Sequence, residues 1–265
     1  MGKMKITFIT PPANMSGGIK VVEIYARYLT QNGHDVLIVS PAARKLSFKQ
    51  KVKSFITGHG WLREKNSDSF LSAVDINHRV LESYRAVCDS DLPDADIIVA
   101  TWWETAEWVN DLSPCKGKKV YFIQGHEVYD YLPVERCKAT YKMPFKKIVI
   151  SQWLAGLMRD LYGDNDVALV SNAVDRSQFY APPRAKQALP TVGFLYHDTP
   201  LKGVDVTLKA IKKLLKLIPQ LRVISFGACD LAAHSELLIG LPVEIQRLPP
   251  LLSGRLNDQR AQALF

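Results

Sequence analysis

The stretch that most constrains this chain runs from residue 5 to residue 40, from "KITFIT" through "GGIKVVEIYARYLTQNGHDVLIVS". Residues 5–10 are apolar and β-prone. Residues 19–32 place Ile19, Val22, Tyr25, Ala26 and Leu29 on one helical face. Gly33-His34 ends that helix, and residues 35–40 return to an apolar strand. Strand, helix and strand in this order form a βαβ unit, which favours a parallel sheet with helices on both faces.

The pair Gly17-Gly18 sits where the first strand hands over to the helix, the place where nucleotide-binding folds keep a phosphate loop. Neither the GxGxxG spacing of a dinucleotide site nor the GxxxxGK[ST] of a P-loop is present. A nicotinamide enzyme of this type also needs an acidic residue ending the second strand, and "LIVSPAAR" offers none. A nicotinamide-dependent oxidoreductase or epimerase therefore ranks last among the functions considered.

Further buried strands are expected at residues 97–101, 120–124, 147–151 and 167–171, with helices over 69–88, 103–112 and 152–162. The strands end in Ser, Thr or Gln, and small or polar residues suit the ligand-facing carboxyl edge of an open α/β sheet. The texture changes near Phe179. "YAPPRAKQALP" is Pro-rich and reads as a linker, over about residues 181–190. A second βα pattern follows, with strands at 191–196, 221–226 and 243–247 and an amphipathic helix over 203–217. The expectation is a first α/β domain over 1–180 and the opening of a second over 191–265. About 75 residues after the linker is short for a doubly wound domain, so the second domain is expected to be incomplete.

Composition narrows the setting. No segment approaches the roughly 18 uninterrupted apolar residues of a membrane span, and the N-terminus carries no signal-like apolar region. The four cysteines are scattered without a CxxC pair, which argues against a structural zinc site and fits a reducing compartment. A cytoplasmic protein is expected. The net charge of +8 is concentrated between Arg44 and Lys65, where seven Lys/Arg face one Glu and Leu46, Phe48, Val52, Phe55 and Ile56 interleave at near-helical spacing. That segment reads either as an amphipathic helix on an anionic membrane face or as a surface helix docked on its own core. No nucleic-acid motif accompanies the charge, so nucleic acid is not an expected partner.

Taken in order, several stretches resemble the retaining glycosyltransferases of family 4, which have the two-domain GT-B fold. Those stretches are Gly17-Gly18 after the first strand, the turn Gly33-His34-Asp35-Val36, the segment "VSNAVDRSQF" from Val170 to Phe179, and Lys202-Gly203 in "GFLYHDTPLKGVDVTLKAI". The resemblance implies two Rossmann-like domains, each a doubly wound parallel sheet. It implies transfer of a sugar from a nucleotide-sugar donor to a glycan or lipid-linked acceptor with retention, in an interdomain cleft. It implies no metal and no cofactor, since Lys and a helix dipole replace the cation, and no DxD-type motif contradicts this.

Site residues follow from the residues themselves and from the resemblance. Gly17 and Gly18, with Asn14 beside them, would let backbone N–H groups and a helix N-terminus approach a phosphate or sugar hydroxyl. His126 lies just past the strand "VYFIQ", where an imidazole can hydrogen-bond a sugar hydroxyl or a leaving phosphate. Glu127 stands beside it as a carboxylate on the acceptor side. Trp102, Trp103 and Glu104 at another strand end offer aromatic faces and a carboxylate to the acceptor. In the resembled family the Lys before the second-domain Gly contacts the donor diphosphate, which assigns that role to Lys202, with Gly203 opening the helix behind it. A second cation expected after the strand's Gly is missing, the pair being Gly193-Phe194, and His197 is the candidate substitute. His34 reads as structural, and Ser151 as a helix N-cap. The family's paired glutamates are not matched, because Glu236 and Glu244 lie in "SELLIGLPVEI" rather than in a Gly-rich loop and helix. That departure, with the short second domain, keeps a non-catalytic, transferase-like binding protein or subunit as the alternative to an enzyme.

Overall fold

The computed structural model describes residues 2–44, 69–72, 76–173, 187–197, 202–227, 235–241 and 243–247, with 180, 183, 185 and 199 singly. The chain divides into two compact units, Met1–Val174 and Asp175–Phe265. The basic segment beyond Arg44 and residues 181, 182, 184 and 186 of the Pro-rich stretch lie outside the described residues.

The first unit is a seven-stranded sheet in the order β3-β2-β1-β4-β5-β6-β7. The strands are β1 (Lys5–Ile9), β2 (Asp35–Ser40), β3 (His78–Val80), β4 (Ile97–Ala100), β5 (Lys118–Ile123), β6 (Lys146–Val149) and β7 (Val167–Leu169). Every pairing is parallel. The inner strands read as near-continuous apolar runs because both faces are covered. Ile6 and Phe8 of β1 pack on one side with Val36, Ile38, Val99 and Phe122. Ile9, Val39, Ile98, Tyr121 and Ile123 pack on the other.

The helices separate in the same way. Helix α1 (Gly17–Gln31) buries Ile19, Val22 and Ala26 on the first face. Helix α2 (Trp103–Asn110) buries Ala106 and Val109, and α4 (Gln152–Tyr162) buries Leu154 and Met158, on the second. Each buried Ile, Val, Leu or Met among these contributes about 1.5–3 kcal/mol, and the alanines less. Right-handed crossovers explain the split. From β1 the chain winds towards β2, from β4 it winds towards β5, and opposite directions put the crossover helices on opposite faces. The carboxyl ends of β1 and β4 are therefore the switch point of the sheet. A short helix α3 (Val134–Thr140) precedes β6 and carries the buried Cys137.

Turn chemistry holds the winding. Gly33, at φ 88°, closes α1 in a conformation that costs other residues strain. The following His34 accepts the Met4 N–H on Nδ1 at 3.2 Å, the structural role expected of it. Ser151 Oγ accepts the Leu154 N–H at 3.2 Å and caps α4, and Gly163, at φ 72°, ends that helix.

The helix expected over 69–88 is not there. Residues 78–80 are the edge strand β3 and residues 89–91 a short 3-10 turn. The apolar spacing that mimicked a helix comes from Leu71, Leu81 and Val87, each buried from a turn or extended segment. The open edge of β2 decides the outcome: Ile38 N–H donates to Asn77 O and Leu81 N–H to Ser40 O, both at 2.9 Å, and backbone groups at a buried edge must find partners.

The second unit contains a three-stranded parallel sheet ordered β10-β9-β8. Its elements are β8 (Thr191–Leu195), α5 (Val204–Leu217), β9 (Arg222–Gly227), a four-residue helix α6 (Ser235–Leu238) and β10 (Val243–Arg247). Val204, Leu208 and Ile211 of α5 pack with Phe194, Tyr196 and Val223 in a core of its own. Gly227 is required by close approach, since a Cβ there would lie 2.2 Å from the Tyr196 carbonyl oxygen.

Candidate functional site

Site candidates in the first unit gather at the carboxyl edge of its sheet, beginning at the switch point. Gly17 and Gly18 are the first two residues of α1 rather than a loop before it. Neither has the positive φ of a glycine turn. A Cβ on Gly17 would meet nothing within 4 Å, and one on Gly18 would make only ordinary contact with Gln124, at 3.7 Å. The glycines therefore keep the helix entrance bare. No side chain caps this end and its first turn holds no acid, so an unneutralised N-terminus faces outward, the arrangement that binds anions. Exposed Asn14 accepts the Ser16 N–H on Oδ1 at 2.8 Å and sets the turn into the helix.

Gln124, just past β5, was not anticipated as a site residue. Its Nε2 donates to the Gly18 carbonyl at 3.2 Å, fastening the first turn of α1 to the β5 strand end. The one available sign was a Gln at a strand's carboxyl end.

The β4 loop is organised by Thr105, whose Oγ1 accepts the N–H groups of Thr101 and Trp102, both at 2.9 Å. Trp102, half-buried, is the N-cap of α2. Trp103 is only 4% exposed and packs in the interior, with the Arg136 guanidinium 4.9 Å above its ring, so it presents no face to an acceptor. Glu104 bonds Arg44 at 2.9 Å and the Tyr84 hydroxyl at 2.5 Å, and Arg44 stacks over the Tyr84 ring. That carboxylate is already matched by a cation from the β2 side. Arg44 and Tyr84 were missed as partners because they are 60 and 20 residues away in sequence.

His126 stands in the β5 loop among three aromatic rings. Its centroid is 5.5 Å from Tyr141, 5.9 Å from Tyr162 and 6.4 Å from Trp153, the last edge-on at 85°. Nε2 shares a 2.7 Å hydrogen bond with the Tyr162 hydroxyl, and among the described residues Nδ1 makes none. Burial, helped by nearby Lys138, holds the imidazole below its ordinary pKa. It is thus neutral at neutral pH, with one nitrogen committed and the other available for a hydroxyl or phosphate oxygen. Trp153, 62% exposed on the first turn of α4, leaves its indole face to solvent.

Glu127 turns inward. It is 6% exposed, its Oε2 accepts the Trp103 N–H at 3.1 Å, and its own N–H donates to the Tyr141 hydroxyl at 2.8 Å. Burial pushes its carboxyl up to about 8. A buried acid of this kind does not meet an acceptor at the surface, and no feature of the local sequence distinguishes its inward rotamer.

In the second unit, Lys202 and Gly203 follow the β8 loop and open α5. Gly203 is the N-cap, at φ 62° and ψ 30°, a left-handed conformation that suits glycine. The exposed Lys202 immediately precedes the amino end of a 14-residue helix, so a cation and a helix dipole lie together. His197 accepts the Thr199 N–H on Nδ1 at 3.0 Å, and Thr199 O accepts the Lys202 N–H, also at 3.0 Å. His197 is thereby part of the loop that carries Lys202. Among the described residues no group of His, Cys, Asp and Glu could hold a metal ion, and no helix is long and apolar enough to cross a membrane.

These two α/β units, in this order, have the fold of the GT-B glycosyltransferases. No family model and no curated protein matches the sequence. Solved structures do. TarM aligns with 94% of the chain and 77% of its own length, with a TM-score of 0.64 at 8% identity. A glycosyltransferase from Rickettsia africae aligns over 95% and 70%, with a TM-score of 0.54 at 17% identity. The catalytic domain of starch synthase IV from Arabidopsis thaliana, bound to ADP and acarbose, aligns over 95% and 75%, with a TM-score of 0.55 at 13% identity. At these identities the likeness is one of fold.

Proposed function

We propose that this chain is a glycosyltransferase that moves a sugar from a nucleotide-sugar donor to a glycan or lipid-linked acceptor with retention, as the resemblance to family 4 implies. The observation that carries the proposal is a pair of open helix N-termini at sheet carboxyl edges. One is bare at Gly17-Gly18, and the other is led by Lys202-Gly203. Transfer from a nucleoside diphosphate sugar places growing negative charge on the leaving diphosphate, and preorganised N–H dipoles with one cation are what that charge requires. Lys202 and α5 take the diphosphate, the α1 N-terminus faces the donor's phosphates or an acceptor hydroxyl, and neutral His126 hydrogen-bonds the transferring sugar or its leaving phosphate.

The nucleotides and glycans in the neighbours' structures support this reading. Staphylococcus aureus TarM was solved with UDP and alpha-GlcNAc-glycerol, and the starch synthase with ADP and acarbose. As the resemblance implies, the donor belongs to the second unit and the acceptor to the first, with no metal required. Trp102 and exposed Trp153 supply aromatic surface for the acceptor. A membrane-facing role for residues 44–65 would bring a lipid-linked acceptor within reach.

The test is release of UDP, ADP or GDP from a panel of nucleotide sugars, with and without EDTA, combined with calorimetry against the free nucleoside diphosphates. Diphosphate binding and EDTA-insensitive release with an acceptor support the proposal. Binding without turnover favours the non-catalytic alternative. No nucleotide binding overturns the proposal and leaves the non-catalytic binding protein or subunit as the reading.

A further inference from the structure

The buried carboxyl of Glu127 joins two loops that the sheet alone leaves independent. Its Oε2 takes the N–H of Trp103, the first residue of α2, while its main chain is held by Tyr141, whose hydroxyl also donates to Gly125 O at 3.3 Å. His126 lies between these anchored residues and packs against the same Tyr141 ring. We propose that Glu127 is a positioning residue kept as the neutral acid, and that its ionisation releases the loop 125–128 and with it His126.

The surroundings leave little room for a charge. Tyr121 on β5, Tyr129 in the same loop, Cys137 on α3 and Tyr141 beyond α3 are the titratable groups that its charge acts on. None of them is a cation. Arg136 lies over the Trp103 ring and is engaged bidentately by Glu107, at 3.0 and 2.6 Å. Lys138 bonds Glu135. The Tyr121 hydroxyl, buried without a well-formed hydrogen bond among the described residues, lies close enough to Glu127 to favour its charged form. A carboxylate here would face a buried aromatic wall with the Trp103 N–H and the nearby Tyr121 hydroxyl to favour it and no cation beside it, and burial outweighs both.

These groups also separate in pH. Burial, with the nearby acid, raises the three tyrosines above their ordinary value, and the Cys137 thiol is pushed up to about 11. His126 is lowered from 6.5. Glu127, near 8, titrates between them. Because its folded value exceeds the unfolded value of 4.5, its stabilising contribution is fully present below 4.5 and is lost as pH rises through about 8.

The experiment reads the loop and not turnover, so it stands or falls separately from the proposed function. The imidazole resonances of the full chain are followed by NMR from pH 6 to 9.5, with His126 assigned by its loss in His126→Asn. The expected result is a shift of the His126 signal with a midpoint near 8, abolished in Glu127→Gln, whose neutral amide keeps the acceptor for Trp103. The same transition in Glu127→Gln, or none in the wild type, overturns the proposal. A Glu127→Gln chain that is unfolded at pH 7 by circular dichroism also overturns it, because it would mean that the native group is the charged form.

Discussion

Replacing Gly18 with alanine separates a glycine kept for the fold from one kept for a ligand. Gly18 lies inside α1 with an ordinary helical φ, and an added Cβ comes no closer than 3.7 Å to the Gln124 side chain. Nothing in the fold needs hydrogen there. Substituting alanine at a compatible helical position lowers the entropy of the unfolded chain and stabilises by about 0.4–1 kcal/mol. For a unit of this size that is a rise in Tm of about 1–4 °C. The methyl group nevertheless narrows the bare approach to the α1 N–H groups. If phosphate or sugar oxygens come into van der Waals contact there, overpacking of about 1–3 kcal/mol follows, or about a 5- to 140-fold loss of affinity. The assay is paired: thermal unfolding by circular dichroism, and calorimetry with the nucleotide sugar that the turnover panel selects. A rise in Tm with weaker binding is the expected pattern. A fall in Tm of several degrees would mean that the glycine is needed for the turn, and a rise with unchanged affinity would mean that no ligand approaches this helix end.

Other consequences concern the scaffold. Lys147 is buried beside Asp164 and also donates to the Met143 carbonyl at 3.0 Å, so Asp164→Ala strands a buried cation and should cost about 3–5 kcal/mol in chemical denaturation. Lys147 also holds the Asp164 carboxyl below its ordinary value. Its contribution should therefore be present above about pH 4 and fade as pH falls further, a dependence absent from Asp164→Asn. Gly227→Ala forces a methyl into the Tyr196 carbonyl and should cost about 3 kcal/mol, seen as faster amide exchange at Val223 and Ile224 while the first unit's amides are unchanged.

Much of the frame was legible because buried parallel strands announce themselves. The β1, β2, β4 and β5 runs are apolar on both faces, and the α1 and α4 stripes repeat at helical spacing, so order and type follow from the residues alone. What failed to show has a common cause. The edge strand β3 depends on the open side of β2, more than 30 residues away, and short-range periodicity carries no record of it. Glu127 sits in a polar-looking loop yet turns inward to accept the N–H of Trp103 at the start of α2, and a side chain's direction out of a loop is set by tertiary contacts. Glu104 looked free because its partner Arg44 follows a different strand. The glycines at 17–18 were expected in a loop before the helix and lie in its first turn. They begin the helix and leave its end uncovered, whereas the turn needing a positive φ is at Gly33.

The central claim is that a nucleoside diphosphate is held by Lys202 at the head of α5. Calorimetry of the chain and of Lys202→Ala with UDP and ADP tests it most directly. Hydrogen bonds to a charged group are worth about 1.5–3 kcal/mol, so the account predicts binding by the native chain that weakens about 10- to 100-fold in the variant, with an unchanged circular dichroism spectrum. Equal affinity in both proteins, or no binding by either, would contradict it.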